Sequence, residues 1–285
     1  MDRLTISSPA KLNLVLDVLG KRPDGFHELK TIFERISLSD QITLTRNKSN
    51  KISISCLHPH VPRGQGNLVF KAAVMLARDF SISDGLNIDI IKNIPVAAGL
   101  AGGSSNAAAV LSGLNRLWKI GLSHAQLVSY ASRLGSDVAF FLYDTSYALG
   151  QGRGERIKPL KVKTKIWHVL VTPRVKMYTA DVFARLKLNL TNKKDNVNIL
   201  LPFLRMGDLA RLAGALSNDL EPAILSLRPD FIYLKKKLLD AGAMGVCFSG
   251  SGPSVFALCE SQKHALSLRA RFDRRYTQAF VVNTL

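Results

Sequence analysis

Residues 95–109 read PVAAGLAGGSSNAAA, and they lie between an alternating apolar segment, Leu86–Ile91, and a helical pattern over Ser104–Leu117. Small residues allow a backbone to approach a ligand closely. A helix N-terminus adds unpaired N–H groups and a partial positive charge. The strand–loop–helix order therefore predicts a phosphate cradle, in which the hydroxyls of Ser104 and Ser105 can contact phosphate or Mg²⁺.

The same segment differs from two common phosphate-binding loops. No Gly-Lys-Ser/Thr follows a glycine and four variable residues, so it is not a Walker A loop. The dinucleotide-binding pattern Gly-x-Gly-x-x-Gly is absent as well. The alternative interpretation is a tight turn that precedes a helix, in which Ala107–Ala109 allow close packing.

Hydrophobic periodicity predicts strands and helices in both halves of the chain, which indicates an α+β fold. The first half has predicted strands at Leu4–Ser8, Leu12–Leu19, Thr31–Leu38, Gln41–Arg46 and Leu86–Ile91, turns at Gly20–Gly25 and Ser39–Asp40, and a helix at Asn67–Phe80. The second half has predicted strands at Trp167–Val171, Gly245–Phe248, Ser254–Leu258 and Ala279–Val282, helices at Thr179–Leu186, Pro229–Ala241 and Gln262–Arg274, and a loop at Lys187–Asn198. A Gly-rich and then basic stretch near residues 150–165 places the predicted domain boundary between domains 1–155 and 156–285.

Composition limits the class of protein. The chain has 285 residues, of which 47% are hydrophobic and 21% charged, so wholesale disorder is excluded. Its formal net charge of +18 favours anionic partners such as nucleic acid, an acidic membrane or phosphorylated small molecules. A basic surface that only confers solubility is the alternative.

Cysteine usage and the N-terminal sequence indicate a reducing compartment. The three cysteines, Cys56, Cys247 and Cys259, form no C-x-x-C pair, so neither a disulfide framework nor a zinc cluster is expected. The sequence shows neither a signal-peptide pattern nor an apolar run of about 18 residues. We therefore expect a cytoplasmic protein that does not act at a membrane.

Five motifs, in order along the chain, carry a resemblance to a known family. Ser8–Leu14 (SPAKLNL), Pro95–Ala109 and Phe248–Phe256 (FSGSGPSVF) resemble the first, second and third motifs of the GHMP kinases. Gly20–Leu29 (GKRPDGFHEL) and Leu134–Phe141 (LGSDVAFF) are similar to the family of 4-diphosphocytidyl-2-C-methyl-D-erythritol kinases.

The resemblance implies a two-domain GHMP kinase fold. Its N-terminal domain is like ribosomal protein S5 domain 2, its C-terminal domain is ferredoxin-like, and the site lies in the cleft between them. It also implies ATP-dependent phosphorylation of the 2-hydroxyl of 4-diphosphocytidyl-2-C-methyl-D-erythritol in non-mevalonate isoprenoid synthesis. ATP and Mg²⁺ are the implied cofactors. The motifs hold no evident acidic ligand, so we expect Mg²⁺ to rest on phosphates, water and a serine.

Asp137 and Lys11 are the implied catalytic residues. Asp137 precedes an apolar run and would take the proton of the accepting hydroxyl, while the Lys11 ammonium stabilises the charge left on oxygen. Lys11 alternates with Leu12, so Asn13 shares its face of the strand and can bind substrate. A cap at a helix end is the alternative for Asp137, and a surface charge is the alternative for Lys11.

The resemblance also implies how the cytidine end of the substrate is bound. Phe26 and His27 recognise cytosine, and Phe183, after Thr179, is the second stacking aromatic. The alternative for Phe183 is a core position in its helix. Gly250 and Gly252 let the substrate phosphates approach closely, with a turn between two strands as their alternative.

Several residues are implied in ATP binding by the resemblance. They are Pro95, Ala97, Gly99, Leu100, Ala101, Gly102, Gly103, Ser104, Ser105 and Asn106 of the second motif, with Asn67 and Lys92 near the adenine. A helix N-cap is the alternative for Asn67. The family usually has Gly in place of Ala97 and Ala101, and we expect a negative φ at both alanines. It usually has Tyr in place of Phe26, a change that keeps the stacking surface.

Other functions were weighed against this one. A homoserine or mevalonate kinase shares the Gly-rich loop, but neither is expected to have the Gly25-Phe26-His27 turn. A nucleic-acid-binding protein would use basic clusters such as Lys235–Lys237. These clusters are more simply interpreted as the solvent-exposed faces of helices and strands. The expected partner is therefore a small molecule. Monomer and homodimer both remain open.

Overall fold

The computed structural model describes residues 2–188, 194–272 and 277–285. Its strands are β1 (Arg3–Lys21), β2 (His27–Asn47), β3 (Ile52–Cys56), β4 (Gly85–Ile91), β5 (Tyr147–Gly152), β6 (Arg156–Leu160), β7 (Trp167–Pro173), β8 (Ser217–Asn218), β9 (Gly245–Phe248), β10 (Val255–Cys259) and β11 (Thr277–Asn283). Its α-helices are α1 (Leu68–Asp79), α2 (Gly102–Leu117), α3 (His124–Leu134), α4 (Thr179–Ala184), α5 (Asn196–Met206), α6 (Leu209–Gly214), α7 (Glu221–Leu227), α8 (Phe231–Asp240) and α9 (Gln262–Arg269), with a 3-10 helix at Ala139–Leu142.

The chain forms two compact units, each assembled from separate segments. Unit 1 contains Met1–Ala10, Leu38–Val96 and Ala101–Asp144. Unit 2 contains Lys11–Ser37, Ala97–Leu100 and Thr145–Leu285. Strands β1 and β2 therefore contribute residues to both units. The predicted boundary at residue 155, between two domains that are each continuous in sequence, stays a prediction.

Unit 1 packs helices on one sheet. Strand β4 pairs antiparallel with the Gln41–Asn47 part of β2 and parallel with β3. A Cβ on Gly113 of α2 would lie 2.5 Å from Ile6 Cδ1 and 2.7 Å from Leu44 Cδ1. This helix can therefore approach the sheet closely only because the side chain is absent. The buried faces of α1, α2 and the strands form the core of the unit.

Unit 2 contains an antiparallel four-stranded sheet in the order β11-β7-β10-β9. Numbered along the chain within this sheet, the order is 4-1-3-2, with helices between the first and second strands and between the third and fourth. This is the β-α-β-β-α-β ferredoxin-like arrangement that the resemblance implied. The predicted α+β fold is confirmed. Strands β5 and β6 form a hairpin, and β5 also pairs antiparallel with β2.

Two predicted strand breaks are wrong. Leu4–Ser8 and Leu12–Leu19 are parts of the continuous strand β1, and no turn interrupts β2 at Ser39–Asp40. The carboxylate of Asp40 accepts hydrogen bonds from the backbone N–H groups of Asn93 and Ile94 at 2.7 and 2.8 Å. It therefore serves a neighbouring segment instead of closing a local turn.

The helix boundaries and several short elements also differ from the sequence prediction. The predicted loop Lys187–Asn198 ends where α5 begins, and its residues 189–193 lie outside the described part. The predicted Thr179–Leu186 and Gln262–Arg274 helices are shorter, although residues 273 and 274 also lie outside it. The elements that sequence reasoning missed are β3, α3, the 3-10 helix, β5, β6, α5, α6, β8 and α7.

Two further sequence expectations bear on the fold. Cys56, Cys247 and Cys259 are free and buried, and burial raises the pKa of the Cys247 thiol to about 12. Among the residues that the structure describes, no helix has both the length and the apolar character that crossing a membrane requires.

Candidate functional site

Parts of the three GHMP-like motifs meet inside unit 2. The backbone N–H of Lys11, from the first motif, donates to the carbonyl of Leu100 at 3.2 Å. The hydroxyl of Ser249, from the third motif, donates to the carbonyl of Gly99 at 2.9 Å. A Cβ on Gly99, whose φ is +74°, would lie 2.1 Å from the Ser249 carbonyl oxygen. Glycine is therefore required here by both its conformation and the close approach of the third motif.

Lys11 begins a row of buried polar side chains. Its Nζ donates to Asn13 Oδ1 at 2.6 Å, and Asn13 Nδ2 donates to Thr31 Oγ1 at 2.8 Å. The Thr31 hydroxyl in turn donates to the carbonyl of Val15 at 2.6 Å. The predicted shared face of Lys11 and Asn13 is confirmed. The sequence analysis missed Thr31, although its position in the alternation of the neighbouring strand offered a signal.

The loop between β9 and β10 lies directly beside that row. A Cβ on Gly250 would lie 3.4 Å from both Lys11 Nζ and Asn13 Oδ1. The side chain of Asn218 fixes the loop, because its Nδ2 donates to the carbonyls of Phe248 and Gly250 at 3.0 and 2.7 Å. Gly250 lies in the predicted turn between two strands, and its close approach to the substrate phosphates stays a prediction.

The predicted cytosine-binding residues His27 and Phe183 contact each other. Their ring centroids are 4.8 Å apart, with 30° between the ring planes. Burial, and secondarily the charge of Lys21, lowers the pKa of His27, so its imidazole is neutral at pH 7. Phe183 is half-buried against the core of unit 2, which agrees with the core interpretation, and its stacking on cytosine stays a prediction. Thr179 Oγ1 lies 2.9 Å from Ser251 Oγ and links α4 to the third motif.

A network of ion pairs and backbone bonds shapes the turn that carries Phe26. The guanidinium of Arg22 pairs with Asp24 at 3.1 Å and with Glu28. The backbone N–H of Arg22 donates to the carbonyl of Phe26 at 2.8 Å, and Gly25 takes a φ of +83°. The residue Phe26 is 51% exposed, and the guanidinium carbon of Arg153 lies 4.7 Å from the centroid of its ring.

In unit 1, the second motif supplies the N-terminus of α2. Ala101 is the N-cap residue and its side chain makes no capping hydrogen bond. The first N–H groups of the helix therefore keep their donor capacity for a ligand. An added Cβ on Gly103 would meet nothing within 4 Å, so the space above this residue is open. A Cβ on Gly102 would instead lie 3.0 Å from Ile94 Cγ2.

The two serines of the motif have different surroundings. Ser105 is buried, and its Oγ lies 2.8 Å from the hydroxyl of Ser8. The Ser8 hydroxyl also lies 2.7 Å from Oδ1 of Asn106, which is buried too. These three side chains tie α2 to the part of β1 that belongs to unit 1. Ser104 is half-buried, which makes its hydroxyl the more accessible of the two.

Both alanines of the Gly-rich loop lie in the left-handed region. The φ angles of Ala97 and Ala101 are +53° and +54°, so the expectation of negative φ is wrong. The left-handed Ala101 turns the chain into α2, and its carbonyl accepts the N–H of Ser105 at 2.9 Å. This conformation costs a residue with a Cβ about 1–2 kcal/mol, and the rest of the loop sustains it.

Lys92 is a member of a buried ion pair. Its Nζ lies 2.6 Å from Asp40 Oδ2 and donates to the carbonyl of Ile94 at 2.6 Å. The two side chains are 5% and 0% exposed. Desolvation lowers the pKa of Lys92, and the Asp40 carboxylate opposes that shift. The sequence analysis missed Asp40 because it assigned that residue to a turn.

The remaining predicted residues of unit 1 are Asn67, Asp137 and Pro95. The side chain of Asn67 accepts the N–H of Val69 at 2.9 Å and caps α1, as the alternative interpretation held. Asp137 lies between α3 and the 3-10 helix and is half-buried. Both its proposed catalytic role and the alternative of a cap at a helix end stay predictions. Pro95 is partly exposed beside the loop.

Family descriptions and relatives agree with these motifs. The description "GHMP kinases N terminal domain" matches residues 67–145, and "GHMP kinases C terminal" matches residues 200–278. A 4-diphosphocytidyl-2-C-methyl-D-erythritol kinase of Bacillus anthracis is 41% identical over 266 residues, or 93% of this chain and 91% of the relative. The Bacillus cytotoxicus protein of the same name is also 41% identical over the same shares.

Solved structures extend the comparison to three dimensions. A crystal structure of 4-(cytidine 5'-diphospho)-2C-methyl-D-erythritol kinase matches with a TM-score of 0.85, 30% identity and 98% coverage of both chains. A homoserine kinase from Cytophaga hutchinsonii matches with a TM-score of 0.80 and 23% identity, covering all of this chain and 95% of the other, which shows a shared fold. By sequence and fold, this chain belongs to the GHMP kinases and, within them, to the family of 4-diphosphocytidyl-2-C-methyl-D-erythritol kinases.

Proposed function

We propose that this protein transfers the γ-phosphoryl group of ATP to the 2-hydroxyl of 4-diphosphocytidyl-2-C-methyl-D-erythritol. The observation that carries the proposal is the contact of His27 with Phe183 in the unit that also joins Lys11, Asn13 and Gly250. An aromatic and imidazole pair suits a nucleobase, and a buried ammonium beside a glycine suits a phosphorylated group. The name shared by the relatives supports the same substrate.

Asp137 is the proposed base and Lys11 the proposed charge-stabilising residue. The hydroxyl O–H bond breaks as its proton passes to the Asp137 carboxylate. The oxygen forms a bond to the γ-phosphorus while the bond to the β-phosphate oxygen breaks, and ADP leaves. The Lys11 ammonium stabilises the negative charge that develops on the accepting oxygen. Positioning and charge stabilisation supply most of the rate enhancement in phosphoryl transfer.

ATP is bound, in this proposal, by the second motif and the N-terminus of α2. The open space above Gly103 and the uncapped first turn support a phosphate at this position. The other predicted contacts are Pro95, Ala97, Gly99, Leu100, Ala101, Gly102, Ser104, Ser105 and Asn106, with Asn67 and Lys92 proposed near the adenine. Because Asn67 and Lys92 each have structural partners, they would act mainly by shaping that pocket.

The donor set of the described residues fits a magnesium ion held largely by its nucleotide. Within those residues no three His, Cys, Asp or Glu side chains come together as a metal cage. Mg²⁺ commonly keeps several waters and takes only one or two protein ligands beside phosphate oxygens. The accessible hydroxyl of Ser104 is the protein group that would hold it. When bound, the ion supplies charge neutralisation at the phosphates.

The cytidine diphosphate portion of the substrate is proposed to lie along unit 2. Phe26 and Phe183 offer stacking surfaces, and the neutral imidazole of His27 can both donate and accept a hydrogen bond. Thr179, Asn13 and the backbone around Gly250 and Gly252 would contact the polar remainder. The left-handed φ of Gly252, +71°, keeps this backbone in a conformation that favours glycine.

An acceptor panel tests the substrate. ADP release would be measured with 4-diphosphocytidyl-2-C-methyl-D-erythritol, L-homoserine and mevalonate at equal concentrations with saturating Mg-ATP. The proposal predicts turnover of the cytidine compound at more than about 10³ times the rate of the others, because a polar site rejects ligands that leave its groups unpaired. Preferred turnover of homoserine or mevalonate would contradict it and remove the assigned roles of Phe26 and His27.

The basic surface is proposed to serve anionic metabolites and solubility. Retention on DNA that disappears near physiological salt, together with ATP-dependent turnover, is the expected behaviour. Sequence-specific retention without turnover would favour a nucleic-acid function instead. A cytoplasmic location and a monomer or homodimer remain predictions, which cell fractionation and sedimentation analysis can test.

A further inference from the structure

The hairpin that joins β5 to β6 presents an arginine on a constrained turn. Gly152 and Gly154 have φ angles of +72° and +104°, and the backbone N–H of Arg153 donates to Glu155 Oε2 at 2.6 Å. A Cβ on Gly152 would lie 2.8 Å from Glu155 Oε1. The Glu155 carboxylate is therefore used to shape the turn, and the turn fixes where the arginine side chain begins.

The arginine covers one side of an exposed aromatic ring. The guanidinium carbon of Arg153 lies 4.7 Å from the centroid of Phe26, whose residue is 51% exposed. A phenylalanine ring has no polar atom by which a hydrogen bond could hold it. The orientation of an exposed phenylalanine in a turn is therefore set by whatever packs on its face, which here is a planar cation.

The turns that carry the two side chains are joined by ion pairs. Glu28 pairs with Arg22 on the Phe26 turn and with Arg156, at 2.8 Å, on β6 next to the hairpin. Strand β2 also pairs with β5 in a register that sets Leu29 opposite Gly152. Both turns thus belong to one hydrogen-bonded ladder, and the contact between Arg153 and Phe26 follows from it.

Arg153 differs from other arginines that lie over aromatic rings. Among the residues that the structure describes, Arg133, Arg211 and Arg228 also lie on rings, and each has a carboxylate oxygen within 3.5 Å of its guanidinium. The guanidinium of Arg153 lies 4.0 Å from Glu155, beyond hydrogen-bonding range. Close ion pairs hold the other three guanidinium groups, whereas Arg153 combines electrostatic attraction to Glu155 and Asp24 with its contact to the Phe26 ring.

We infer that Arg153 is a positioning residue for substrate binding. It holds the Phe26 ring so that the exposed part of the ring is presented to the nucleobase in one orientation. This inference rests on the proposed function, because it gives Phe26 a ligand of the nucleoside diphosphate class. Arg153 acts through the ring, so its removal weakens binding of the cytidine compound and leaves the transfer step unchanged.

The test is a comparison of KM and kcat in matched variants. Arg153→Ala is expected to raise KM for 4-diphosphocytidyl-2-C-methyl-D-erythritol about two- to five-fold, the equivalent of one exposed cation–π contact. KM for ATP and kcat at saturation are expected to stay within about two-fold. Arg153→Lys keeps a cation over the ring and is expected to recover at least part of the loss. Lys158→Ala, which removes an exposed cation of β6 outside this network, is the control and is expected to leave KM near the wild-type value.

A double-variant cycle separates positioning from direct contact with the ligand. The effect of Arg153→Ala is expected to disappear in a Phe26→Leu background, because there is no ring left to orient. An effect of the same size in that background would overturn the inference and indicate contact with the substrate phosphates. An unchanged KM in Arg153→Ala would also overturn it, as would an equal rise in Lys158→Ala.

Stability and substrate controls keep the outcomes distinct. The thermal midpoints of all variants would be measured, and a lowered midpoint in Arg153→Ala would make Arg153→Lys the deciding variant. A wild-type KM in the lysine variant, with a raised KM in a folded Arg153→Met variant, supports the inference. If the wild-type protein forms no phosphorylated cytidine product, the proposed function fails and the inference falls with it. Product formation with no change in KM contradicts the inference alone.

Discussion

Lys11 in unit 2 and Lys92 in unit 1 are both nearly buried, but their surroundings differ. Lys92 contacts the carboxylate of Asp40, so that two opposite charges share one buried position. Lys11 donates to the amide oxygen of Asn13 in a row that continues to Thr31. Both ammonium groups donate to a side-chain oxygen, and that of Lys92 also donates to the carbonyl of Ile94. Burial alone therefore does not tell a structural lysine from one proposed to act in catalysis, and kinetics measured beside stability separates the two roles.

The largest expected change in stability comes from Lys92→Met. It leaves the Asp40 carboxylate buried without its cation, and breaking such a pair costs about 3–5 kcal/mol. Urea denaturation would measure this loss in the free energy of unfolding. The additional change Asp40→Asn is expected to recover part of it. A loss below about 1 kcal/mol would contradict the structural assignment, and KM for ATP in the folded variant would report any role at the adenine.

Lys11→Met is expected to show the opposite profile. Loss of a charge-stabilising group lowers kcat by about 10²–10³-fold. The methionine fills much of the same volume, and Asn13 keeps its bond to Thr31, so the loss of kcat is expected in protein that still folds. Steady-state kinetics beside denaturation would measure both quantities. The exposed Lys161→Met is the control, and a kcat of Lys11→Met within ten-fold of wild type would break the comparison.

The glycine-rich loop and the helix that follows it are expected to respond in opposite ways to an alanine-to-glycine change. Ala101→Gly removes the free-energy cost of a left-handed alanine but increases the conformational entropy of the unfolded chain. The net result expected is a stabilisation of about 0.5–1 kcal/mol. Ala108→Gly, inside α2, is the matched control and is expected to destabilise it. Thermal denaturation of both variants measures whether each change raises or lowers the stability of the protein. Destabilisation by Ala101→Gly would contradict the conformational strain assigned to Ala101.

The smallest expected effect is a pH dependence at His27. Its folded-state pKa is lowered, so below about pH 6.5 the unfolded chain binds more protons than the folded one. The contribution of neutral His27 to stability is therefore present above that pH and is lost as the pH falls toward the folded pKa. An NMR titration of the His27 ring, beside the thermal midpoints of wild type and His27→Gln, would check this. A pKa of His27 above 6.5 would contradict it.

The sequence predicted the fold family and the local alternation better than the strand boundaries. The resemblance carried by the ordered motifs implied the ferredoxin-like sheet, and alternation along the first strand predicted the shared face of Lys11 and Asn13. Asp40 was misread as a turn residue because its partner Lys92 is distant in sequence. Long-range pairing of this kind leaves no local pattern.

Other misses had usable signals. Ser123 and Gln126 form a capping box at the start of α3, and a search for that pattern would have found the helix. The left-handed alanines had no such signal, because alanine favours negative φ and only the packing of the loop imposes the other conformation. Helices α5 and α6 follow the N-cap residues Asp195 and Asp208, which the sequence offered only as isolated acidic residues.

The transferred phosphoryl group itself gives the most direct test of the account. A phosphorus NMR spectrum would be recorded of 4-diphosphocytidyl-2-C-methyl-D-erythritol, ATP and Mg²⁺ with wild type, Asp137→Asn and the exposed control Asp144→Asn. The account predicts a new phosphomonoester signal with wild type and Asp144→Asn, and a rate about 10²–10⁴-fold lower with Asp137→Asn. ATP binding without a phosphomonoester in the wild-type spectrum would contradict the proposed substrate. An Asp137→Asn rate equal to wild type would contradict the proposed base.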